Sequence, residues 1–155
     1  MGTEIERKFL VNIDKWNEVV KTQKFFIKQG YLIINHIISI RVRQTEANGY
    51  ITIKGNKVGI TRSEFEYSIP KEEAEQLIDM YATSILSKFR YIIEFKNKLW
   101  EVDEFLEDNS GLIIAEIELS NEKEKFELPE WIDKEVTHEE KYYNSNLSTH
   151  PFKNW

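Results

Sequence analysis

The stretch TEIERKF, residues 3–9, decides how this chain folds, because charged and apolar residues alternate along it. In a β-strand, residues i and i+2 lie on the same face. This rule places Glu4, Glu6 and Lys8 on one face and leaves Ile5 on the other. The stretch therefore predicts a strand with one strongly charged face and one largely apolar face.

The same spacing recurs along the chain. The further sets at i and i+2 are Arg41/Arg43, Thr52/Lys54, Arg62/Glu64/Glu66, Lys88/Arg90, Glu101/Asp103 and Glu116/Glu118. For a single strand, a solvated charged face is the ordinary explanation of such a set. Here, however, several strands carry paired acids and others carry paired bases. Because like charges on one strand face repel each other, the pattern indicates that something binds between them.

Eight segments rich in Ile, Val, Tyr, Phe and Thr predict the strands, and clusters of Gly, Asn and Asp separate many of them. The predicted strands are 3–12, 24–34, 37–45, 49–56, 60–69, 84–96, 98–107 and 111–120. The predicted helices are 13–21 with Asp14 as N-cap, 71–82 after Pro70, and parts of the tail at 121–127 and 138–147. Short connections favour antiparallel neighbours. We therefore expect a mainly β (α+β) fold in a single domain, residues 1–155.

Eight antiparallel strands can close into a barrel. If the helices cover the apolar faces from outside, the charged faces line a central tunnel. Buried charges are costly unless they are paired or bind a ligand. Lys and Arg bind phosphate oxygens, and paired carboxylates hold hard cations such as Mg²⁺ or Mn²⁺. The predicted ligand is therefore a polyanion bound together with its metal ions.

Composition excludes several other classes of protein. A chain of 155 residues with 41% hydrophobic residues is long and apolar enough to bury a core. It has no cysteine, which excludes disulfides and thiolate chemistry. A net charge of -6 argues against a nucleic-acid coat or a basic membrane anchor. No apolar signal segment opens the sequence and no run is long enough to span a bilayer, so we expect a cytoplasmic protein.

The ordered motifs resemble those of the CYTH superfamily, the triphosphate tunnel metalloenzymes. Glu4-x-Glu6-x-Lys8 is similar to the E-x-E-x-K signature of that family. The motifs that follow are Gln29–Leu32, Arg41–Arg43, Thr52–Gly55, Arg62–Glu66, Lys88–Arg90, Trp100–Asp103, Ala115–Glu118, Glu135–Thr137 and Lys141–Asn144. The resemblance covers residues 3 to about 150. It implies an eight-stranded antiparallel tunnel that binds a triphosphate and a divalent metal.

The resemblance also implies roles for individual residues. The expected phosphate-binding residues are Lys8, Lys28, Arg41, Arg43, Lys54, Lys88 and Arg90. Arg62 shares their parity, which means that it falls on the same face of its strand as the charged residues. Lys141 is expected on a C-terminal helix, where it closes one tunnel mouth. The acids expected to hold metal or orient water are Glu4, Glu6, Glu64, Glu66, Asp103, Glu116 and Glu118, and Glu101 shares their parity. The expected catalytic set is Glu4, Glu6, Lys8, Glu64, Glu66 and Asp103.

Family members hydrolyse tripolyphosphate, thiamine triphosphate or RNA 5′-triphosphate ends, or cyclise ATP to cyclic AMP. The chain has no additional segment that would form a pocket for a base or a thiazolium ring. We therefore predict Mg²⁺- or Mn²⁺-dependent hydrolysis of inorganic tripolyphosphate to pyrophosphate and phosphate. The alternatives are a class IV-type adenylate cyclase, a thiamine triphosphatase, and a non-enzymatic sensor of polyphosphate or nucleotides. The expected partner is a small-molecule triphosphate, with no nucleic acid and no membrane, bound by a monomer or a homodimer.

Overall fold

A closed barrel of antiparallel strands organises the chain in the computed structural model, which describes residues 2–155. The strands are β1 (Gly2–Val11), β2 (Lys24–Ile34), β3 (Ile38–Gln44), β4 (Gly49–Gly55), β5 (Thr61–Ile69), β6 (Ser84–Phe95), β7 (Lys98–Phe105), β8 (Ile113–Glu118) and β9 (Ile132–Glu135). The helices are α1 (Ile13–Asn17), α2 (Lys71–Tyr81) and α3 (Asn144–Thr149), with 3₁₀ turns at Glu107–Asn109, Glu140–Tyr142 and Phe152–Asn154. The predicted eight-stranded antiparallel barrel is confirmed, and β9 is an additional strand.

Strand β1 closes the barrel because it pairs with β5 on one side and with β8 on the other. Glu4 lies opposite Arg62 in the β1–β5 ladder, and Lys8 lies opposite Glu116 in the β1–β8 ladder. Closure of this kind removes the exposed edges that an open sheet would have. It also brings the charged faces of strands that are distant in sequence to one interior.

Strand β9 takes the place of β5 beside the second half of β1. Its last residue, Glu135, lies opposite Phe9. Beyond β9, the amide of Val136 donates to the Lys8 carbonyl at 2.8 Å, and Thr137 Oγ1 accepts from the Lys8 amide at 3.1 Å. The segment between β8 and β9 has no helix, so the helix predicted at 121–127 is wrong. This segment carries the chain back to β1, where β9 fixes the backbone of Lys8.

The apolar core lies outside the barrel, as the alternation of charged and apolar residues predicts. Trp16, Trp100 and Trp131 are all buried and belong to its largest cluster. Trp131 packs edge-to-face on both other indoles, with ring centroids 5.3 Å from Trp16 and 5.8 Å from Trp100. Edge-to-face geometry is favoured by the ring quadrupoles. These outer contacts stabilise the barrel without occupying its interior.

The helices differ in detail from the sequence prediction. Helix α1 ends at Asn17, not at residue 21. Its N-cap is Asn12 and not Asp14, because Asn12 Oδ1 accepts a hydrogen bond from the Lys15 amide at 3.1 Å. In the predicted helix 138–147, a 3₁₀ turn precedes α3, which begins only at residue 144. No helix among residues 2–155 is long and apolar enough to cross a membrane.

Helix α2 packs on the outer face of β2, β3 and β4 and leaves no room for a side chain at Gly30. A Cβ atom at Gly30 would lie 2.7 Å from the Cβ of Ala82. Carbon atoms cannot approach this closely without a shift of the backbone. Gly30 therefore allows the helix and the sheet to come into contact.

Candidate active site

A polar cavity of about 210 Å³ lies inside the barrel. Inward-facing residues of β1, β3, β4, β5, β6, β7 and β8 form most of its wall. The predicted site residues that line it are Glu4, Glu6, Lys8, Arg41, Arg43, Lys54, Arg62, Glu64, Glu66, Arg90, Glu101, Glu116 and Glu118. The structure therefore brings together charged residues from seven strands, four of which contribute two or more, as expected from their common parity.

Lys8 is a buried cation held between two carboxylates. Its Nζ lies 2.7 Å from Glu116 Oε1 and 3.2 Å from Glu6 Oε1, and Lys8 is only 3% exposed. Burial lowers the pKa of Lys8, but the charges of Glu116 and Glu6 outweigh burial and raise it above its usual range. Lys8 is therefore a permanent positive charge inside the barrel.

The carboxylates beside Lys8 are not equivalent. Burial raises the pKa of Glu116, but Lys8 and Arg90 outweigh burial and hold that pKa well below its usual range. Burial and the charge of Glu116 raise the pKa of Glu6, and the opposing effect of Lys8 is smaller. The negative charge of Glu6 is therefore compensated less well than that of Glu116, and a further cation beside Glu6 would be favourable.

Glu4 joins β1 to β4 and β5 through two cations. Its Oε2 accepts from Lys54 Nζ at 2.6 Å, and its Oε1 accepts from Arg62 Nη2 at 3.1 Å. Lys54 also lies 3.1 Å from Glu64 Oε2. Charge-assisted hydrogen bonds of this kind are short and stronger than neutral ones. Glu4 thus orients two of the predicted phosphate-binding residues.

Arg41 and Arg43 have guanidinium nitrogens without acceptors. The Nε atoms of both residues are buried and have no hydrogen-bond partner among residues 2–155. Arg43 does contact Glu66 at 3.1 Å through Nη2 and lies over the ring of Tyr50. A buried donor without an acceptor is costly, because it has lost its hydrogen bonds to water. An anion in the cavity would supply the acceptors that these donors lack.

Asp103 lies on β7, two residues after Glu101, but does not line the cavity. It is fully buried, its Oδ1 accepts from Arg90 Nε at 2.7 Å, and its Oδ2 accepts from Lys88 Nζ at 2.7 Å. Lys88 Nζ also donates to Asn144 Oδ1 at 3.0 Å. Burial lowers the pKa of Lys88 to about 8, although Asp103 opposes the shift. In this geometry Asp103 holds Arg90, and Lys88 holds Asp103. The expectation that Asp103 and Lys88 touch metal or phosphate stays a prediction.

Two predicted phosphate-binding residues lie outside the cavity. Lys28 faces the outer side of β2, where its Nζ lies 3.8 Å from Asp79 of α2. Lys141 is exposed and lies over the rings of Tyr142 and Trp155, with centroid distances of 5.1 and 4.6 Å. Lys28 therefore does not lie in the cavity lining, and Lys141 lies on the surface near the end of the chain. That these two lysines bind phosphate stays a prediction. The tail does reach the cavity, but through the three residues after Tyr142.

Several lining residues were not predicted from the sequence. They are Tyr31, Ser39, Lys57, Tyr143, Asn144 and Ser145. Tyr31 and Ser39 share the inward parity of their strands, so alternation could have identified them, although neither is charged. Lys57 lies between β4 and β5, and the last three lie at the start of α3 or just before it. Strand periodicity gives no information on such positions.

The acids of the cavity fit a divalent cation by their chemistry. Burial and the surrounding carboxylates of Glu4, Glu64 and Glu101 raise the pKa of Glu118, which has no ion pair among residues 2–155. Oxygen donors with excess negative charge suit a hard cation such as Mg²⁺. Within residues 2–155, no three acids or histidines are already arranged as a metal site. Glu4 instead contacts Lys54 and Arg62, and Glu116 contacts Lys8.

Comparison with known proteins agrees with this geometry. A model of the CYTH domain matches residues 2–151. An inorganic triphosphatase of Acetivibrio thermocellus is 44% identical over 156 residues, which cover 100% of this chain and 99% of that protein.

Solved structures share the fold. The inorganic triphosphatase NE1496 is 29% identical, with a TM-score of 0.65 over 96% of this chain and 95% of that one. A putative adenylate cyclase from Bacillus halodurans is 19% identical, with a TM-score of 0.60 over 79% of this chain and 84% of that one. At 19% identity the second likeness concerns the fold alone.

Proposed function

The chain belongs to the CYTH domain family, and from this premise we propose that it is a metal-dependent triphosphatase that hydrolyses inorganic tripolyphosphate to pyrophosphate and phosphate. The 44% identity to an inorganic triphosphatase along the whole chain supports this choice of substrate. We also propose that residues 1–155 act as a single cytoplasmic domain, as a monomer or a homodimer, with Mg²⁺ or Mn²⁺.

One observation carries the proposal: the barrel encloses basic groups whose hydrogen-bonding capacity the protein does not satisfy. The buried Nε atoms of Arg41 and Arg43 have no acceptor among residues 2–155. Both side chains line the cavity, together with Lys54, Arg62 and Arg90. A linear triphosphate carries several negative charges along one axis and offers acceptors to all of these groups. Arginine suits this role because its planar fork binds two phosphate oxygens at once.

In this mechanism the bases align the chain of phosphates and neutralise its charge. Phosphoryl transfer depends mainly on positioning and electrostatic stabilisation, since the protein itself forms no covalent bond. Arg41 and Arg43 on β3 would hold phosphate from one side of the barrel, and Lys8 and Arg90 from the other side. Asp103 keeps Arg90 in place through two hydrogen bonds, of 2.7 and 2.8 Å.

The acids have two roles in the proposal. Glu4, Glu6, Glu116 and Glu118 would hold the divalent cation, which neutralises phosphate charge when it is bound. Glu64 and Glu66 line the cavity from β5. A carboxylate oxygen there can accept a hydrogen bond from a water molecule and direct it in line with a phosphorus atom. Glu66 is itself held by Thr52, whose hydroxyl donates to Glu66 Oε2 at 2.7 Å.

A substrate panel tests the proposal. Purified protein is incubated with tripolyphosphate, thiamine triphosphate, ATP or pyrophosphate, with Mg²⁺ or Mn²⁺, and both phosphate and cyclic AMP are measured. We expect rapid phosphate release from tripolyphosphate, little from the other compounds, and none after a chelator is added. Cyclic AMP from ATP would replace the proposal with a cyclase. Tight binding of tripolyphosphate without any turnover would replace it with a sensor.

The matched variants are Glu4→Gln and Lys125→Met. Glu4 contacts two cations of the cavity, so its change should abolish phosphate release. Lys125 is exposed and has no ion pair among residues 2–155, so its change should leave the rate unaltered. If Glu4→Gln kept the wild-type rate, the activity would not arise in the barrel.

A further inference from the structure

Lys57 is a cavity lysine with unusually weak partners. Its Nζ lies 3.4 Å from the carbonyl oxygen of Thr137 and 4.8 Å from the ring centroid of Tyr143. It forms no salt bridge among residues 2–155, whereas Lys8 and Lys54 each lie within 2.7 Å of a glutamate oxygen. The charge of Lys57 is therefore not compensated by an adjacent carboxylate.

The surroundings of Lys57 make an added anion favourable. Burial lowers the pKa of Lys57, and the nearby cations Lys8 and Arg62 lower it further, although Glu6 and Glu4 oppose them. An ammonium group in such a place is stabilised most by a negative ligand close to it. A phosphate group would replace a long hydrogen bond to a carbonyl with a charge-assisted one.

The backbone fixes Lys57 at this place. A tight turn follows it, in which Val58 and Thr61 exchange backbone hydrogen bonds of 2.8 and 3.0 Å. Gly59 supplies the positive φ of 63° that this turn requires. On the other side, the Tyr143 hydroxyl donates to the Thr137 carbonyl at 3.2 Å. The β4–β5 turn and the C-terminal tail thus meet around Lys57.

Resting on the triphosphatase function proposed above, we propose that Lys57 binds the outermost phosphate of inorganic triphosphate and selects this free end over an esterified one. A free terminal phosphate carries close to two negative charges at neutral pH, since its second ionisation lies near pH 6, whereas an ester there leaves one. An uncompensated ammonium group gains more from the doubly charged end. Tyr143 lies beside Lys57, and Tyr143, Asn144 and Ser145 also line the cavity.

The test compares Lys57→Met, Lys57→Arg and the exposed control Lys125→Met. Steady-state kinetics with tripolyphosphate give KM and kcat, and ATP is measured as a competing inhibitor. Loss of one charge-assisted contact in Lys57→Met should raise KM about tenfold or more, with kcat nearly unchanged, because the contact is made before and during the reaction. Lys57→Arg should restore most of the affinity, and the inhibition constant of ATP should change far less.

Two results would overturn the inference: a KM for tripolyphosphate that Lys57→Met changes by less than about twofold, or an equal loss of affinity for tripolyphosphate and ATP. If Lys57 were only structural, Lys57→Met would lower kcat and the melting temperature. Circular dichroism measures the melting temperature. If the wild type did not hydrolyse tripolyphosphate, the proposed function would fail separately. Calorimetry would then measure the affinity of the metal-free wild type and of metal-free Lys57→Met for tripolyphosphate. Equal affinities of these two proteins would refute the role of Lys57.

Discussion

Replacing Lys8 with methionine should destabilise the barrel as well as inactivate it. The change leaves Glu116 and Glu6 as buried carboxylates without their shared cation, which lies 2.7 and 3.2 Å from them. Breaking a buried pair on one side costs about 3–5 kcal/mol. Arg90 and Arg62 each remain 3.9 Å from one of these carboxylates, so the lower value, about 3 kcal/mol, is expected. A domain of this size then melts about 6–12 °C lower.

The loss should depend on pH. In the wild type, the pKa of Glu116 is depressed, so its contribution to stability is present above its unfolded pKa and is lost as the pH falls through its folded pKa. Without Lys8, the folded pKa of both glutamates rises relative to the wild type, because Lys8 lowers both. Their protonated forms are then favoured in the folded state, and stability is lost as the pH rises through the raised pKa. The difference in melting temperature between the two proteins should therefore be small at pH 5 and large at pH 7.5.

Thermal melts by circular dichroism measure this effect, and phosphate release measures activity. The double variant Lys8→Met/Glu116→Gln should recover part of the stability, because it removes one of the two unpaired charges, while activity stays lost. Lys125→Met serves as the exposed control. A loss below about 1 kcal/mol for Lys8→Met, or a double variant no more stable than the single one, would refute the buried-pair reasoning.

Three further predictions follow from other contacts. Gly30→Ala should lower the melting temperature by several degrees without changing KM, since its new Cβ would lie 2.7 Å from Ala82 on the outside of the barrel; an unchanged melting temperature would contradict this packing. Asp103→Asn should reduce both the melting temperature and kcat, because it weakens the hydrogen bonds that hold Lys88 and Arg90. A wild-type kcat would show that Arg90 does not need Asp103 to hold it in place. Tripolyphosphate at a hundred times its Kd should stabilise the metal-free protein by about 2.7 kcal/mol in thermal melts, whereas no shift would exclude the basic groups as a binding site.

Alternation along single strands predicted the barrel and most of its lining. The pair Arg41 and Arg43 shows why: two bases on one strand face are unfavourable on a simple surface, and both in fact face the cavity. Lys28 was expected to bind phosphate because of the family resemblance and not because of alternation. On β2 the inward positions are held by Gln29 and Tyr31, and Lys28 has the opposite parity. Parity alone does not say which face of a strand is the interior.

Loop and tail residues could not be predicted in this way. Lys57 lies in a turn, and its direction depends on Gly59 and on the tail packed across the barrel. Strand β9 has only four residues, which is too short for a clear alternation to emerge. It forms because β5 separates from the second half of β1 and leaves backbone groups there without partners, a condition that local sequence does not contain.

The sequence by itself therefore determined the strands, the segregation of charge to one face, and the class of ligand, because these follow from a period of two and from the chemistry of the side chains. Only the tertiary structure decided which acid pairs with which base, and which cations are left for a ligand. Barrel closure sets these pairings: it places Glu4 beside Lys54, and Lys8 beside Glu116, across separations of 50 and 108 residues. The same closure leaves the Nε atoms of Arg41 and Arg43 without acceptors, which is the physical basis of the proposed phosphate site.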